Sequence, residues 1–258
     1  MDNRETITAL IIAKNEEKNI PECLENIKWC DEIVVVDDMS ADSTPDICLK
    51  FGAKLFRHRS DGNYNDQCGI GLSNVTSDWV LNIDADERVT PELKKDILDT
   101  LALKPEFSAY SIARRNHFLG KFMRYGGWYE RQVKLFRIGK GRYADKGRLG
   151  VLEVDGKIGY IRSYINHYPF NSISQFVNRQ INYAIFEAKV MDEKKGKIGL
   201  GEIKQHLFVK PLKIFFKLYV KKQGFRDGMH GFIFSILNAW KHFARWSIYW
   251  GKYHKEEI

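Results

Sequence analysis

Ile33-Val34-Val35-Val36 is an unbroken β-branched run, too short for a helix, and it stops in Asp37-Asp38. A run of that kind reads as a strand buried on both faces, which requires a sheet covered by helices. The pattern recurs along the N-terminal part of the chain. Thr6 to Ala13 reads as a buried strand, Ala53 to Arg57 as a third and Trp79 to Ile83 as a fourth. Helical segments separate them. Glu17 to Trp29 carries apolar residues at Ile20, Cys23, Leu24 and Ile27, which is helical spacing. Ser43 or Thr44 caps a second helix that has Pro45 in its first turn and runs to Phe51. Asn65 to Asn74 is a third helix, and Thr90-Pro91-Glu92 opens a fourth. This alternation predicts an α/β fold, Rossmann-like, with a mostly parallel sheet flanked by helices.

In such folds ligands bind outside the carboxyl ends of the strands. Here the first strand ends at Ala13-Lys14-Asn15-Glu16, the second at Asp37-Asp38 and the fourth at Asp84-Ala85-Asp86-Glu87. Neither a dinucleotide glycine turn nor a Walker phosphate loop follows the first strand. Carboxylates one residue apart, without a His or Cys cluster, suit a hard divalent cation, Mg²⁺ or Mn²⁺. A lone Asp-X-Asp is more often an acidic loop. Three strand ends meeting at one crevice favour ligand contact for Asp37, Asp84 and Asp86. Asp38 and Asp42 are equally well explained as turn and capping groups, and Glu16 and Glu17 as acids that open a helix.

The net charge of +8 sits at the C-terminal end, where residues 194–258 hold 14 Lys and Arg against 4 Asp and Glu. From Ser172 the pattern is helical, with Ile173, Phe176, Val177, Ile181 and Ile185 on one face, and Asp192 to Gly201 reads as a linker. The stretches 207–222 and 231–250 mix lysines with Phe215, Phe216, Trp240, Trp246 and Trp250. No apolar run reaches the roughly 18 residues of a membrane span. The mixture predicts helices lying on a membrane surface; the competing reading is a helical pair packed on the catalytic domain or on a second subunit. A polar N-terminus without a leader and four cysteines without metal-ligand spacing point to a cytoplasmic protein with reduced thiols. A basic, aromatic tail also fits a nucleic-acid-binding protein, but that reading leaves the acidic strand ends unexplained.

Taken together, Ala13-Lys14-Asn15-Glu16-Glu17, Val36-Asp37-Asp38-Met39-Ser40-Ala41-Asp42-Ser43-Thr44 and Asp84-Ala85-Asp86-Glu87 resemble the nucleotide-sugar-binding half of family 2 glycosyltransferases of the GT-A fold. Arg114 to Gly120, Gly126-Gly127-Trp128-Tyr129, Lys134-Leu135-Phe136-Arg137 and the Pro211–Tyr249 region are similar to the bacterial branch containing lipopolysaccharide-core β-1,4-glucosyltransferases. The resemblance covers nearly the whole chain. It implies a GT-A catalytic domain over 1–170 and a helical basic-aromatic extension over 171–258. It further implies an inverting transfer from a UDP-sugar, glucose first among the donors, to a lipopolysaccharide-core or other lipid-linked glycan acceptor. The enzyme would sit at the cytoplasmic face of the inner membrane through its C-terminal helices, with no nucleic acid as partner.

By the same resemblance Ala13, Asn15, Glu16 and Gln67 line the nucleotide pocket, and Asp37 meets the uracil or ribose. Asp84, Ala85 and Asp86 take the ribose, the diphosphate and the metal. His167 is the candidate third metal ligand, against the commoner structural use of a lone histidine beside an apolar strand. Trp128 and Tyr129 are candidates for the acceptor side, with a core role for Trp128 as the rival reading. Arg114, Arg115, Arg124 and Arg137 are candidate phosphate contacts or solvent-facing charges.

The chain departs from its relatives at two places. Their Val-His-Glu triplet, which supplies the general base, aligns with Arg148-Leu149-Gly150, and their Gln-Arg-Asn or Gln-Lys-Asn aligns with Gln67-Cys68-Gly69. Either another acid serves, Asp145 or Glu153 beside Asp86 in catalysis, or the chemistry differs, or the protein binds a nucleotide sugar and transfers poorly. A nucleotidyltransferase would also use metal carboxylates on an α/β sheet.

Overall fold

The apolar runs form the strands expected of them: β1 (Ile7–Ala13), β2 (Glu32–Asp37), β3 (Lys54–Arg57) and β4 (Trp79–Asn82). They are joined by α1 (Ile20–Asn26), α2 (Thr44–Lys50) and α3 (Tyr64–Ser73). β5 (Glu87–Val89) and α4 (Pro91–Ala102) follow. Then come β6 (Ala109–Phe118), β7 (Lys121–Phe122), β8 (Glu130–Arg137), β9 (Gly141–Tyr143), β10 (Leu152–Val154) and β11 (Ile158–Phe170). These positions come from a computed structural model, which describes residues 5–103, 105–143 and 150–254.

The main sheet runs β3-β2-β1-β4-β8-β6-β11-β5, with β7 on β6, and β9 and β10 form a separate hairpin. Parallel pairing joins β3, β2, β1 and β4, whereas β8 meets β4 antiparallel, as β6 meets β8 and β5 meets β11. The parallel sheet read from the sequence is thus one half of a mixed sheet. Helical crossovers, which parallel strands require, stop after the first four strands. Alternate residues bury opposite faces. Ile7, Ala9, Ile11, Val35 and Leu81 enter one core, and Leu10, Val34, Val36, Val80 and Phe136 the other. On the second face α3 comes so close that a Cβ on Gly71 would lie 2.4 Å from Leu10 Cδ1.

Helix starts show which polar groups act as caps. Thr90 Oγ1 accepts from the Leu93 N–H at 3.1 Å, as its position before Pro91 predicts. Ser43 makes no such bond; Asp42 Oδ1 accepts from Thr44 N–H at 3.0 Å and from Thr44 Oγ1 at 2.6 Å. α1 begins at Ile20 rather than Glu17, because the Glu16 carbonyl first closes a turn with the N–H groups of Asn19 and Ile20.

The chain divides into two compact units, Met1–Arg115 with Glu130–His167, and Asn116–Tyr129 with Tyr168–Ile258. In the second, α5 (Ile173–Lys195) runs straight through the expected start of the linker, leaving Gly196–Gly199 before α6 (Leu200–Lys204). Its buried face is Phe176, Gln180, Ala184 and Ala188, while Ile173 and Ile185 are exposed, contrary to the apolar periodicity. Small residues win that face because α8 (Met229–Tyr253) lies against it, tied by Lys241 and Arg245 to Glu187 at 2.7 and 2.6 Å. Between them Leu200–Lys221 is nearly continuous helix: α6, a π-helical turn at Gln205–Val209, α7 (Lys210–Phe216) and a second π-helical turn at Lys217–Lys221. No described helix is long and apolar enough to cross a membrane.

Candidate active site

β1 lies between β2 and β4, so the chain leaves three neighbouring strands at one edge of the parallel half. Ala13 pairs with Asp37, and the Ile83 N–H donates to the Leu10 carbonyl at 3.0 Å. The loops beyond β1 and β2 are stitched to each other. Asn15 and Met39 both take left-handed backbone conformations, at φ 54° and 52°. Asn15 N–H donates to Ser40 Oγ at 2.8 Å, and Asn15 Oδ1 accepts from Ala41 N–H at 2.9 Å. Glu16 N–H donates to Thr44 Oγ1 at 2.8 Å. Asn tolerates left-handed geometry, and here its side chain bridges to the loop beyond β2.

Asp37 is fully buried, and its Oδ2 accepts from Arg57 Nε and Ser40 N–H, both at 3.0 Å. Its Oδ1 is a buried oxygen without a hydrogen-bond partner among the described residues. Asp38 ties loops, accepting from Lys14 Nζ at 2.9 Å and from Ser60 N–H and Oγ at 2.8 Å. Gln67 is buried on α3 and donates to the His58 carbonyl at 2.6 Å, and its Oε1 is a second buried oxygen without a described partner. Cys68 beside it is buried, and that burial pushes its thiol up to about 12, so it acts as a neutral filler.

The acidic turn after β4 is held from every side. Arg88 donates to the carbonyls of Ala85 and Glu87 at 2.8 and 2.7 Å, and to Asn19 O and Glu22 Oε2 of the α1 region, both at 3.0 Å. Glu87, fully buried, is the hub. Its Oε2 accepts from Asp84 N–H at 2.9 Å and from Lys134 Nζ at 2.8 Å, and its Oε1 accepts from Arg114 Nε at 2.6 Å. Arg114 also pairs with Asp84 Oδ2, which Lys134 meets at 3.2 Å. Burial would raise the Asp84 carboxyl, but Lys134 and Arg114 outweigh it and hold the group at about 2. Burial would likewise lower the Lys134 ammonium, and Asp84 with Glu87 keeps it raised and charged. These contacts of Asp84 fall on Oδ2, and the side chain is still 35% exposed.

Asp86 turns the other way. Its Oδ1 lies 3.5 Å from Nε2 of His167 on β11, and both side chains are nearly buried. Burial would raise the Asp86 carboxyl, and the bond to His167 lowers it below the usual carboxylate range. Two carboxylates two residues apart and an imidazole beside one of them are thus brought together, and the carboxylate oxygens are the donors that a hard cation prefers. No group of three or more His, Cys, Asp or Glu is preassembled for a metal among the described residues. A hard cation that takes its remaining ligands from water and phosphate does not require one.

Other expected residues fall elsewhere. Glu153 is on β10, paired with Arg142 of β9 at 3.0 Å and half exposed. Gly150 has φ +73° and its N–H donates to Asn65 Oδ1 at 2.7 Å. Asp145, Arg148 and Leu149 lie outside the described residues. Arg137 sits at the opening residue of β4, bound to Glu5 and over the Trp79 ring, away from the acidic turn. Arg115 stacks on Tyr164. In the second unit Trp128 stacks on Phe234 at 4.8 Å within a cluster of Phe118, Met123, Phe170 and Phe176, while Tyr129 is exposed and Arg124 lies by Phe122. Glu87 and Lys134 were not singled out for roles in the sequence. The apolar neighbours Val133, Leu135 and Phe136 were the available signal that Lys134 is buried and therefore paired.

Residues 8–168 match the family model "Glycosyl transferase family 2". The lipopolysaccharide core biosynthesis glycosyltransferase LpsC of Rhizobium meliloti is 28% identical over 245 residues, covering 90% of this chain and 87% of that protein. A glycosyltransferase of Rickettsia conorii is 29% identical over 254 residues, covering 93% and 88%. Among solved structures, S. aureus TarS 1-349 in complex with UDP-GlcNAc superposes with a TM-score of 0.51 at 13% identity, covering 96% of this chain and 91% of that one. The chain therefore shares its fold with that protein. With more than half its length matched by the family model, the chain belongs to glycosyl transferase family 2 and is a glycosyltransferase.

Proposed function

We propose that this glycosyltransferase moves a sugar, with inversion, from a UDP-sugar to a lipopolysaccharide-core or related lipid-linked glycan at the cytoplasmic face of the inner membrane. The observation that carries the donor reading is the pair of strand ends flanking β1: Asp37 at the end of β2, and Asp84 and Asp86 beyond β4, the latter two backed by Arg114, Lys134 and His167. Glucose is the first donor to assay. The acceptor class rests on the similarity to LpsC.

Asp37 and the stitched Ala13–Glu16 loop, with Gln67 behind them, receive the nucleoside. Asp84 presents its outer oxygen to the ribose and diphosphate, and Ala85 between the acids leaves room for them. Asp86 and His167, with Asp84, would hold a divalent cation, which would supply charge neutralisation for the departing diphosphate. Arg114 and Lys134 fix the carboxylates in position, so little reorganisation is needed when the donor binds. For the acceptor proton, the family position falls at Gly150, which has no acid. Glu153 is proposed as the base from its place in sequence alone.

Thermal-shift titration with nucleotide sugars and Mn²⁺ or Mg²⁺ tests the donor site. Metal-dependent stabilisation by a uridine nucleotide is expected, and Asp84→Ala and Asp86→Ala should abolish it. UDP release should fall by about 10²–10³-fold in Asp86→Ala. Absence of stabilisation by every nucleotide sugar, with and without metal, would sink the reading.

A further inference from the structure

Along the helical run that follows α6, the exposed residues come in pairs four apart. Phe208, Leu212, Phe216 and Val220 are exposed, and so are their neighbours Val209, Lys213, Lys217 and Lys221. An α-helix advances roughly 100° per residue, so a four-residue repeat drifts by about 40° at each step. Three steps would carry such a stripe about a third of the way round the helix. The π-helical turns at Gln205–Val209 and Lys217–Lys221 each hold more residues per turn and oppose that drift. They keep one apolar row beside one lysine row. Large side chains left in water over four helical turns are unusual, and π-turns are rare and concentrated at functional sites.

The row is not empty surface. A shallow groove of about 520 Å³ opens between its apolar residues and Lys213, Lys217 and Lys221. Among the described residues no carboxylate pairs with these three lysines, although acids elsewhere in this unit are paired. Inward-facing aromatics are accounted for separately. Phe215 stacks on Tyr219, and Trp246 is buried under His206 at 3.7 Å.

We propose that this stripe is the docking surface for an anionic lipid bilayer. Phe208, Leu212, Phe216 and Val220 enter the boundary between headgroups and acyl chains, and Lys213, Lys217 and Lys221 meet the lipid phosphates. The inference rests on the envelope-acceptor reading only for its biological setting. A bilayer fits better than a protein groove because the lysines lie along the stripe as a continuous row, matching a uniformly charged surface rather than discrete acidic contacts.

Co-sedimentation of the full chain with vesicles of phosphatidylcholine, alone or mixed with phosphatidylglycerol, tests it. The wild type should partition onto the anionic vesicles at least tenfold better than onto the neutral ones, and added salt should reverse part of that. Leu212→Glu/Phe216→Glu, and separately Lys213→Gln/Lys217→Gln/Lys221→Gln, should each lose at least tenfold while keeping the wild-type melting temperature and nucleotide-sugar shift. Equal sedimentation of the variants and the wild type, or a wild type that ignores anionic vesicles, would overturn the proposal. So would light scattering showing that the Glu variants split a dimer, which would assign the stripe to a second copy. Loss of the nucleotide-sugar shift in the wild type would instead count against the donor site and leave the vesicle result standing.

Discussion

The two units of this chain dispose of charge in opposite ways. In the sheet-containing unit, Glu87 has no exposure at all, yet its charge is met by Arg114 and Lys134, and Asp37 is equally buried and met by Arg57. In the helical unit lysines stand in solvent beside exposed phenylalanines, and the acids that are paired sit on the α5–α8 contact and on α6. One unit pays desolvation to hold carboxylates rigidly; the other leaves apolar area uncovered. Rigidity suits the proposed donor site, which would place a diphosphate, and uncovered area suits the proposed docking surface.

Removing the hub should produce the largest effect. Glu87→Ala leaves Arg114 and Lys134 buried without their shared counter-charge, and should cost about 3–5 kcal/mol in urea denaturation. If the cost is under about 1 kcal/mol, the buried network does not distinguish the units. Glu87→Gln keeps one acceptor oxygen, for Arg114 or Lys134 but not for both, and should lose stability as well as loosen Asp84.

The helical unit is held by close backbone approach instead, and Gly231 tests that. A Cβ there would lie 1.8 Å from the Gly224 carbonyl oxygen, which is backbone and cannot rotate away. Gly231→Ala should cost about 1–3 kcal/mol and show first as faster amide exchange in α8, with the sheet unit unaffected.

The smallest effect concerns acid. Glu32 accepts from Thr8, Thr76 and Lys54, and although burial acts to raise its carboxyl, these bonds hold it at about 2 against an ordinary 4.5. A group lowered on folding stabilises above its unfolded value, and that contribution fades as pH falls from 4.5 towards 2. Glu32→Gln should flatten this acid limb by about 1–2 kcal/mol, after allowance for solvent screening, and leave the wild-type slope above pH 5 unchanged.

How much could be read beforehand follows from the distance between cause and effect along the chain. β1 to β4, Thr90 as a cap and the acidic strand ends are local patterns, and all appear where the residues place them. Glu87, by contrast, draws on Arg114 27 residues away and Lys134 47 residues away, so its role emerges only when β6 and β8 join the sheet. The apolar face of α5 misled for a related reason. Periodicity marked its bulky residues, but a helix partner packed closely selects Ala184 and Ala188. Tryptophan count misled too: Trp246 contributes to the interior rather than to a surface. Gly150 was visible as a missing acid, whereas its left-handed turn and bond to Asn65 were not.

The Asp84–Glu87–Arg114–Lys134 cluster carries a further consequence. Within these four side chains two negative and two positive charges balance, while Asp86 stands outside them beside His167. Arg114 and Lys134 offset the repulsion between Asp84 and Glu87, so the folded state has no need to wait for an ion to arrive. The acidic turn can therefore be assembled first and charged afterwards, which separates the order of folding from the order of binding.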